Sequence, residues 1–211
     1  MSEQSSREKV LKKIRQALES SVPLPFDGHA KNETIFNNST EDETVVFAEN
    51  FSKLQGKFAF CTSLTDLKHQ IKRLIDERGW NKIYCADSAI LNILEGIFVP
   101  FQSLKDSNVS ITGCEYLIAR TGSIVLSSAQ PNGRTSSVYS PVHICIAYNR
   151  QLVYDIKDAL GFIVERYGDN LPSIITLASG PSRTADIEKT LVTGVHGPGE
   201  VFCFLMEDSP I

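Results

Sequence analysis

Several features that would assign this 211-residue chain quickly are missing from it. No apolar run reaches the roughly 18–20 residues that span a bilayer. The N-terminus, M-S-E-Q-S-S-R-E-K, is polar and has no apolar centre of the kind a signal peptide carries. A cytoplasmic location is therefore expected. The five cysteines, Cys61, Cys85, Cys114, Cys145 and Cys203, are odd in number and include no C-x-x-C pair. That spacing argues against a disulfide framework, a zinc ribbon or an iron–sulfur cluster held by this chain alone. The four histidines, His29, His69, His143 and His196, show no paired spacing, so no metal site is expected. Walker, G-x-G-x-x-G and G-x-S-x-G sequences are absent. Neither sign of charge dominates: 21 Lys and Arg against 25 Asp and Glu leave a net charge of −4. A chain this mildly acidic has no general attraction to nucleic acid or anionic lipid.

What is present suits a globular domain with an arm. The apolar fraction is 42% and the charged fraction 22%, both ordinary for a folded protein. Ser5-x-x-Glu8 is a capping box, and Val10, Leu11, Ile14, Ala17 and Leu18 follow at helical spacing. Pro23 and Pro25 stop this helix, and residues 26–43 are polar and aperiodic. Residues 1–43 thus read as an amphipathic helix plus an extended linker or arm, and 44–211 as the main domain. There, helical periods at 44–55, 63–79, 89–94, 152–167 and 183–192 alternate with apolar runs at 57–61, 82–86, 115–119, 123–128, 142–148, 173–178 and 201–206. Runs apolar on both faces, interleaved with helices, predict an α/β fold whose parallel-rich sheet carries helices on both faces. Four cysteines lie in such runs and read as small buried hydrophobes; Cys114 falls in the polar-flanked T-G-C-E loop.

Three stretches interrupt the apolar pattern with small and polar residues. In A-R-T-G-S-I-V-L, 119–126, the turn Thr121-Gly122-Ser123 offers backbone N–H groups and two hydroxyls to an anion, or is an ordinary turn before a strand. In A-S-G-P-S-R-T-A-D-I-E, 178–188, Gly180, Pro181, Ser182, Arg183 and Thr184 lie between a strand and a predicted helix. Exposed N–H groups at a helix start suit a phosphate or carboxylate, and Asp186 falls in the first turn, where it stabilises the helix and repels an anion. The other reading is a well-capped strand–helix junction. In T-G-V-H-G-P-G-E, 193–200, Gly194 and Gly197 flank His196, which can present an imidazole for acid–base work or simply brace a turn. His143, after Ser140-Pro141, is a further candidate.

The block S-G-P-S-R-T-A-D-I-E-K-T-L-V-T-G-V-H-G-P, 179–198, together with I-T-G-C-E-Y-L-I-A-R-T-G-S-I-V-L, 111–126, and the helix-then-prolines opening, resembles the LUD-domain family of the lactate-utilization protein C type. The resemblance implies a fold like the NagB/RpiA/CoA-transferase class. It also implies a role beside two iron–sulfur proteins in oxidising L-lactate to pyruvate. Arg120 departs from the family, which usually carries an acid before the T-G-[ST] turn; it favours an anionic ligand. The motif positions make Arg120, Thr121, Gly122, Ser123, Gly180, Pro181, Ser182, Arg183, Thr184, Gly194 and Gly197 the expected ligand-binding set, with His196 and Asp186 as the expected catalytic pair.

The removal of two electrons from lactate needs a carrier, and this sequence shows none. The expected role is a non-redox subunit: no cofactor bound by this chain, iron–sulfur clusters in its partners, and a small anionic ligand or a partner subunit at its loops. The alternative is a stand-alone isomerase- or transferase-like enzyme acting on a phosphorylated or carboxylated small molecule. Self-association is left open.

Overall fold

The computed structural model describes residues 6–19, 42–131, 133–187 and 190–208. The chain divides into two units, 1–38 and 39–211. The first contains helix α1 (Ser6–Glu19), with Val10, Leu11 and Ile14 exposed. Ser5, Pro23, Pro25 and most of the polar stretch 26–43 lie outside the described residues.

The second unit is built on a five-stranded sheet in which every pairing is parallel. Its order is β1 (Lys57–Cys61), β11 (Glu200–Met206), β6 (Val142–Tyr148), β3 (Val109–Thr112) and β2 (Ile83–Tyr84). Parallel strands covered on both faces are mostly apolar on both faces; β11 and β6 largely are, while β3, equally buried, sets Ser110 and Thr112 on the face opposite Val109 and Ile111. On one face lie α3 (Leu64–Arg78) and α4 (Ser88–Ile93). Leu67, Ile71 and Ile75 of α3 and Ile90 of α4 pack with Ile111, Ile144 and Phe204. The Ser63 hydroxyl accepts from the Asp66 N–H at 3.1 Å and opens α3, and Gly79 closes it, as the spacing predicts. On the other face, Phe47 and Phe51 of α2 (Glu43–Lys53) pack with Cys145, Cys203 and Leu205. Each such side chain, fully buried, contributes about 1.5–3 kcal/mol.

That second face is shared with a four-stranded sheet. Its order is β7 (Leu152–Val153), β4 (Tyr116–Ile118), β5 (Ser123–Ser127) and β8 (Ile175–Ala178); β5 runs antiparallel to both β4 and β8. Strand alternation divides its residues. Leu117, Ile124 and Leu126 face the five-stranded sheet, whereas Tyr116, Ile118 and Val125 face Ala159 and Ile163 of α6 (Ile156–Tyr167). The layers are therefore helices, parallel sheet, mixed sheet with α2, and α6.

Several expectations are corrected. Residues 183–192 form no helix: β9 (Arg183–Ile187) and β10 (Thr190–Thr193) pair antiparallel. β-Branched residues at 184, 187, 190, 192 and 193 favour extended backbone, and the Ser182 N–H and C=O are already engaged by Pro198 and Gly194. The run 173–178 is a half-exposed edge strand, not a buried one. The helix expected over 152–167 starts at Ile156, because Leu152 and Val153 join the second sheet and Asp155 caps. Strand β3 and the short α5 (Ser136–Tyr139) carry no periodicity long enough to read. Cys114 is buried with the other four cysteines, all free.

Candidate functional site

The C-terminal end of α2 organises the first two motif stretches. Asn50 Nδ2 donates to the carbonyls of Ala119 (3.0 Å) and Arg120 (3.1 Å), tying down the turn between β4 and β5. Gly122 sits in that turn at φ 59°, and a Cβ there would lie 2.5 Å from the Phe51 backbone nitrogen and 2.6 Å from the Asn50 carbonyl carbon. Gly180 has φ 79°, and a Cβ on it would lie 2.4 Å from the Leu54 carbonyl oxygen. Arg183 donates to that same oxygen at 2.7 Å. Both glycines are thus required by close approach of backbone to backbone.

Hydroxyls join the two stretches. Thr121 Oγ1 and Ser123 Oγ are 2.8 Å apart, and Ser123 Oγ and Ser179 Oγ 2.7 Å apart. The second stretch then meets the third through its backbone: the Ser182 N–H donates to Pro198 C=O and the Gly194 N–H to Ser182 C=O, each at 2.9 Å. A Cβ at Gly197 would press on Ser182 Cβ at 2.9 Å. The Gly199 N–H donates to Pro141 C=O at 2.9 Å, anchoring the third stretch to the start of β6. The first stretch, distant in sequence from the other two, thus joins them in one connected unit.

The loop 194–199 walls a cleft of about 540 Å³. His196 and Tyr139, both exposed, line it with Val138, Pro141, Val195 and the backbone of Gly194, Gly197 and Gly199. An imidazole and a phenol can hydrogen-bond a small carboxylate or hydroxy acid, and the imidazole can carry a proton, while the Gly194 and Gly199 N–H groups are already engaged within the loop's own framework. The hydroxyl row of Thr121, Ser123 and Ser179 does not line this cleft. A smaller hollow of about 260 Å³ beside α3, floored by Leu74, Phe202 and Phe204, contains none of the predicted residues.

Other predicted residues have structural partners. Arg120 Nε donates to Asp155 Oδ2 at 2.7 Å, and this bond holds the Asp155 carboxyl below its ordinary pKa. Asp155 also caps α6, accepting from the Lys157 N–H at 3.1 Å. The Arg120 guanidinium therefore fixes the second sheet to α6. Pro181 is buried and Thr184 half-buried at the foot of the β9–β10 hairpin; Asp186 lies on β9, so no helix start stands behind it. The reading of 182–184 as a helix N-terminus open to an anion falls with that helix. His143 is buried, with Nε2 2.8 Å from Thr112 Oγ1, and burial pushes its pKa down to about 4. It is a neutral core histidine. Burial lifts the Cys61 thiol to about 12 and Cys85 to about 11; the hydrogen bond to Cys145, with burial, lifts Cys114. These thiols are not poised as nucleophiles. Among the described residues no group of three or more His, Cys, Asp or Glu is placed to hold a metal ion. No helix there is long and apolar enough to cross a membrane.

Three contributors escaped sequence reasoning. Tyr139 lies in the short α5, whose only signal is an aromatic before Ser-Pro. Asn50 is a polar residue in the last turn of an apolar helix, which hints at a tertiary bond. Glu115, only 2% exposed, accepts from Ser127 Oγ (2.6 Å), Arg166 (2.7 Å) and Tyr167 OH (2.8 Å), and locks α6 to the second sheet.

Comparison with known proteins agrees with this layout. The lactate utilization protein C of Anoxybacillus flavithermus is 23% identical over 218 residues, covering 95% of this chain and 97% of that one. Its namesake in Bacillus licheniformis is 35% identical over 109 residues; there the aligned part covers 51% of this chain and about half (45%) of the relative's length. A crystal structure of a DUF162 family protein from Deinococcus radiodurans superposes with a TM-score of 0.60 at 17% identity, over 81% of this chain and 99% of that one, and shares the fold. The LUD domain model matches residues 100–206, from before β3 to the last residue of β11 and through all three motif stretches, and the chain belongs to that family.

Proposed function

We infer that this chain serves lactate utilization as a non-redox subunit of an iron–sulfur system oxidising L-lactate to pyruvate. One observation carries the reading: the cleft with His196 and Tyr139 is walled by the C-terminal stretch that lies within the LUD match, and relatives that share this stretch are named for lactate utilization. The cleft suits a small anionic ligand, a carboxylate held by the imidazole and the phenol. With no electron carrier evident in the sequence, the clusters belong to two iron–sulfur partner proteins. The amphipathic arm, residues 1–43, is the segment that docks a partner through Val10, Leu11 and Ile14.

The test is purification of the tagged chain from its native cells grown on L-lactate, with cross-linking before lysis. The expected eluate contains two further proteins, shows the broad visible absorbance of iron–sulfur clusters, and reduces a dye when lactate is added. A colourless, partnerless eluate without that activity would overturn the reading and favour a stand-alone enzyme.

A further inference from the structure

Four strands end the two sheets: β1 and β2 in the parallel one, β7 and β8 in the mixed one. Exposed edges invite pairing with other chains, and proteins guard them with short length, charge, proline or bulges. β2 and β7 are two residues long. β1 opens on Lys57, which is paired with Glu200. β8 lacks these guards. It runs Ile-Thr-Leu-Ala without a proline, and no charged side chain occurs from Asn170 to Ser182. Its register against β5 is unbroken, from Ile175 opposite Ser127 to Ala178 opposite Ile124.

The apolar side chains there are open to solvent: Leu177 is 40% exposed, Ile174 41% and Leu171 50%. Leu177 ends a row that crosses the α6 side of the sheet. Phe162 leans on Tyr116 with ring centroids 5.7 Å apart, Tyr116 lies opposite Val125, and Val125 lies opposite Leu177. The row stops at this edge, where no strand among the described residues pairs with β8 on its outer side.

We propose that β8 is the interface through which two copies of this chain pair, edge to edge and antiparallel, so that two four-stranded sheets join into one of eight strands. The edge matches itself. Copies of net charge −4 repel as bodies, and this strand brings no like charges together across a two-fold axis. Antiparallel addition continues the sense already set by β5 and β8, and it extends the apolar row from Leu177 onto the same strand of the second copy. Pro172 and Pro181 bracket the segment and confine pairing to the residues between them. The assembly closes: the joined sheet ends at each side on β7, two residues long, which offers no further template.

The test is sedimentation of the full chain across about 1–100 µM, the range in which a modest interface titrates. The wild type is expected to reach twice the 23.4 kDa of one chain. Leu177→Lys and Thr176→Lys place a charge on the edge as guarded edges do, and each is expected to weaken pairing at least about tenfold. Leu160→Lys, on exposed α6 surface away from the edge, is expected to pair like the wild type. Unchanged far-UV spectra and melting at the lowest concentration show that the edge variants fold. A wild type that stays at 23.4 kDa throughout, or folded edge variants that pair as tightly as it does, would overturn the proposal.

Discussion

The five-stranded sheet meets its covering helices mainly through apolar side chains, whereas the four-stranded sheet, also packed by apolar residues on both faces, adds a set of buried and half-buried polar ties to its neighbours. Between α3 and the parallel sheet the buried contacts are Leu, Ile, Val, Phe, Cys and Met, and the polar ones, Gln70 to the Phe60 carbonyl and Arg78 to Glu200, lie at the exposed rim. Around the mixed sheet, Glu115 gathers Ser127, Arg166 and Tyr167, Arg120 reaches Asp155, Asn50 holds two turn carbonyls, and Ser123 meets Ser179. Apolar packing is non-directional and tolerates repacking. Hydrogen-bonded turns have one geometry, which is what a binding loop needs. The first motif stretch, and the second through Ser179, are attached to the mixed sheet, and the third is anchored at the start of β6.

The sharpest way to break this contrast is at a point of close approach. Gly122 and Gly133 share φ 59°, but Gly133 has open space where a Cβ would go and Gly122 has the backbone of α2. Gly133→Ala is expected to cost about 1 kcal/mol, the left-handed penalty alone. Gly122→Ala adds overpacking against backbone and is expected to cost about 3–5 kcal/mol in urea unfolding. Equal losses would show that α2 does not brace the turn.

The parallel sheet also buries an imidazole, and pH reads it. His143 has a folded pKa of about 4 against 6.5 unfolded. Between these values the unfolded chain binds a proton and the folded chain does not. Stability is therefore full above pH 6.5 and falls as pH drops toward 4, by about 3 kcal/mol in all. His143→Gln is expected to remove that part of the pH dependence; a curve unchanged in this window would show that burial does not lower the imidazole's pKa in the fold.

These two residues mark how far the sequence could be read. The parallel sheet was legible in β1, β6 and β11, which are apolar runs of five to seven residues, and in α3, capped at Ser63 and Gly79; β3 was not read. The runs 115–119, 123–128 and 173–178 hold strands of the second sheet, but that they form a sheet of their own was not legible, since pairs such as β4 with β7 and β5 with β8 are made by contacts distant in sequence. The hairpin 183–193 was misread because I-E-K-T-L suits either helix or strand, and the deciding bonds, from Ser182 to Pro198 and Gly194, are tertiary. The motif stretches stood out by their glycines, yet the reason for Gly122 and Gly180 is α2, which no local pattern names. His196 was visible because glycines flank it. Tyr139 was not.

Two smaller effects sharpen the comparison. Glu115→Gln keeps the volume but removes the charge that three donors share, and should lower stability by about 2 kcal/mol, against about 1 kcal/mol for the cavity of Ile71→Val in the apolar layer. If the order reversed in thermal unfolding, the mixed sheet would owe its place to packing after all. Asp155→Ala removes both the α6 cap and the Arg120 partner, and is expected to cost about 1 kcal/mol. Arg120→Ala in the same background should add little, because the two lose one shared interaction.

The most direct test of the site is growth on L-lactate as sole carbon source, in native cells lacking this chain and supplied with His196→Ala. The imidazole is exposed and braces nothing in the core, so the variant is expected to fold, reach wild-type levels and melt like the wild type, yet to restore neither growth nor lactate-dependent dye reduction. Wild-type growth on lactate with the folded variant would contradict the account and reduce the 194–199 loop to a turn.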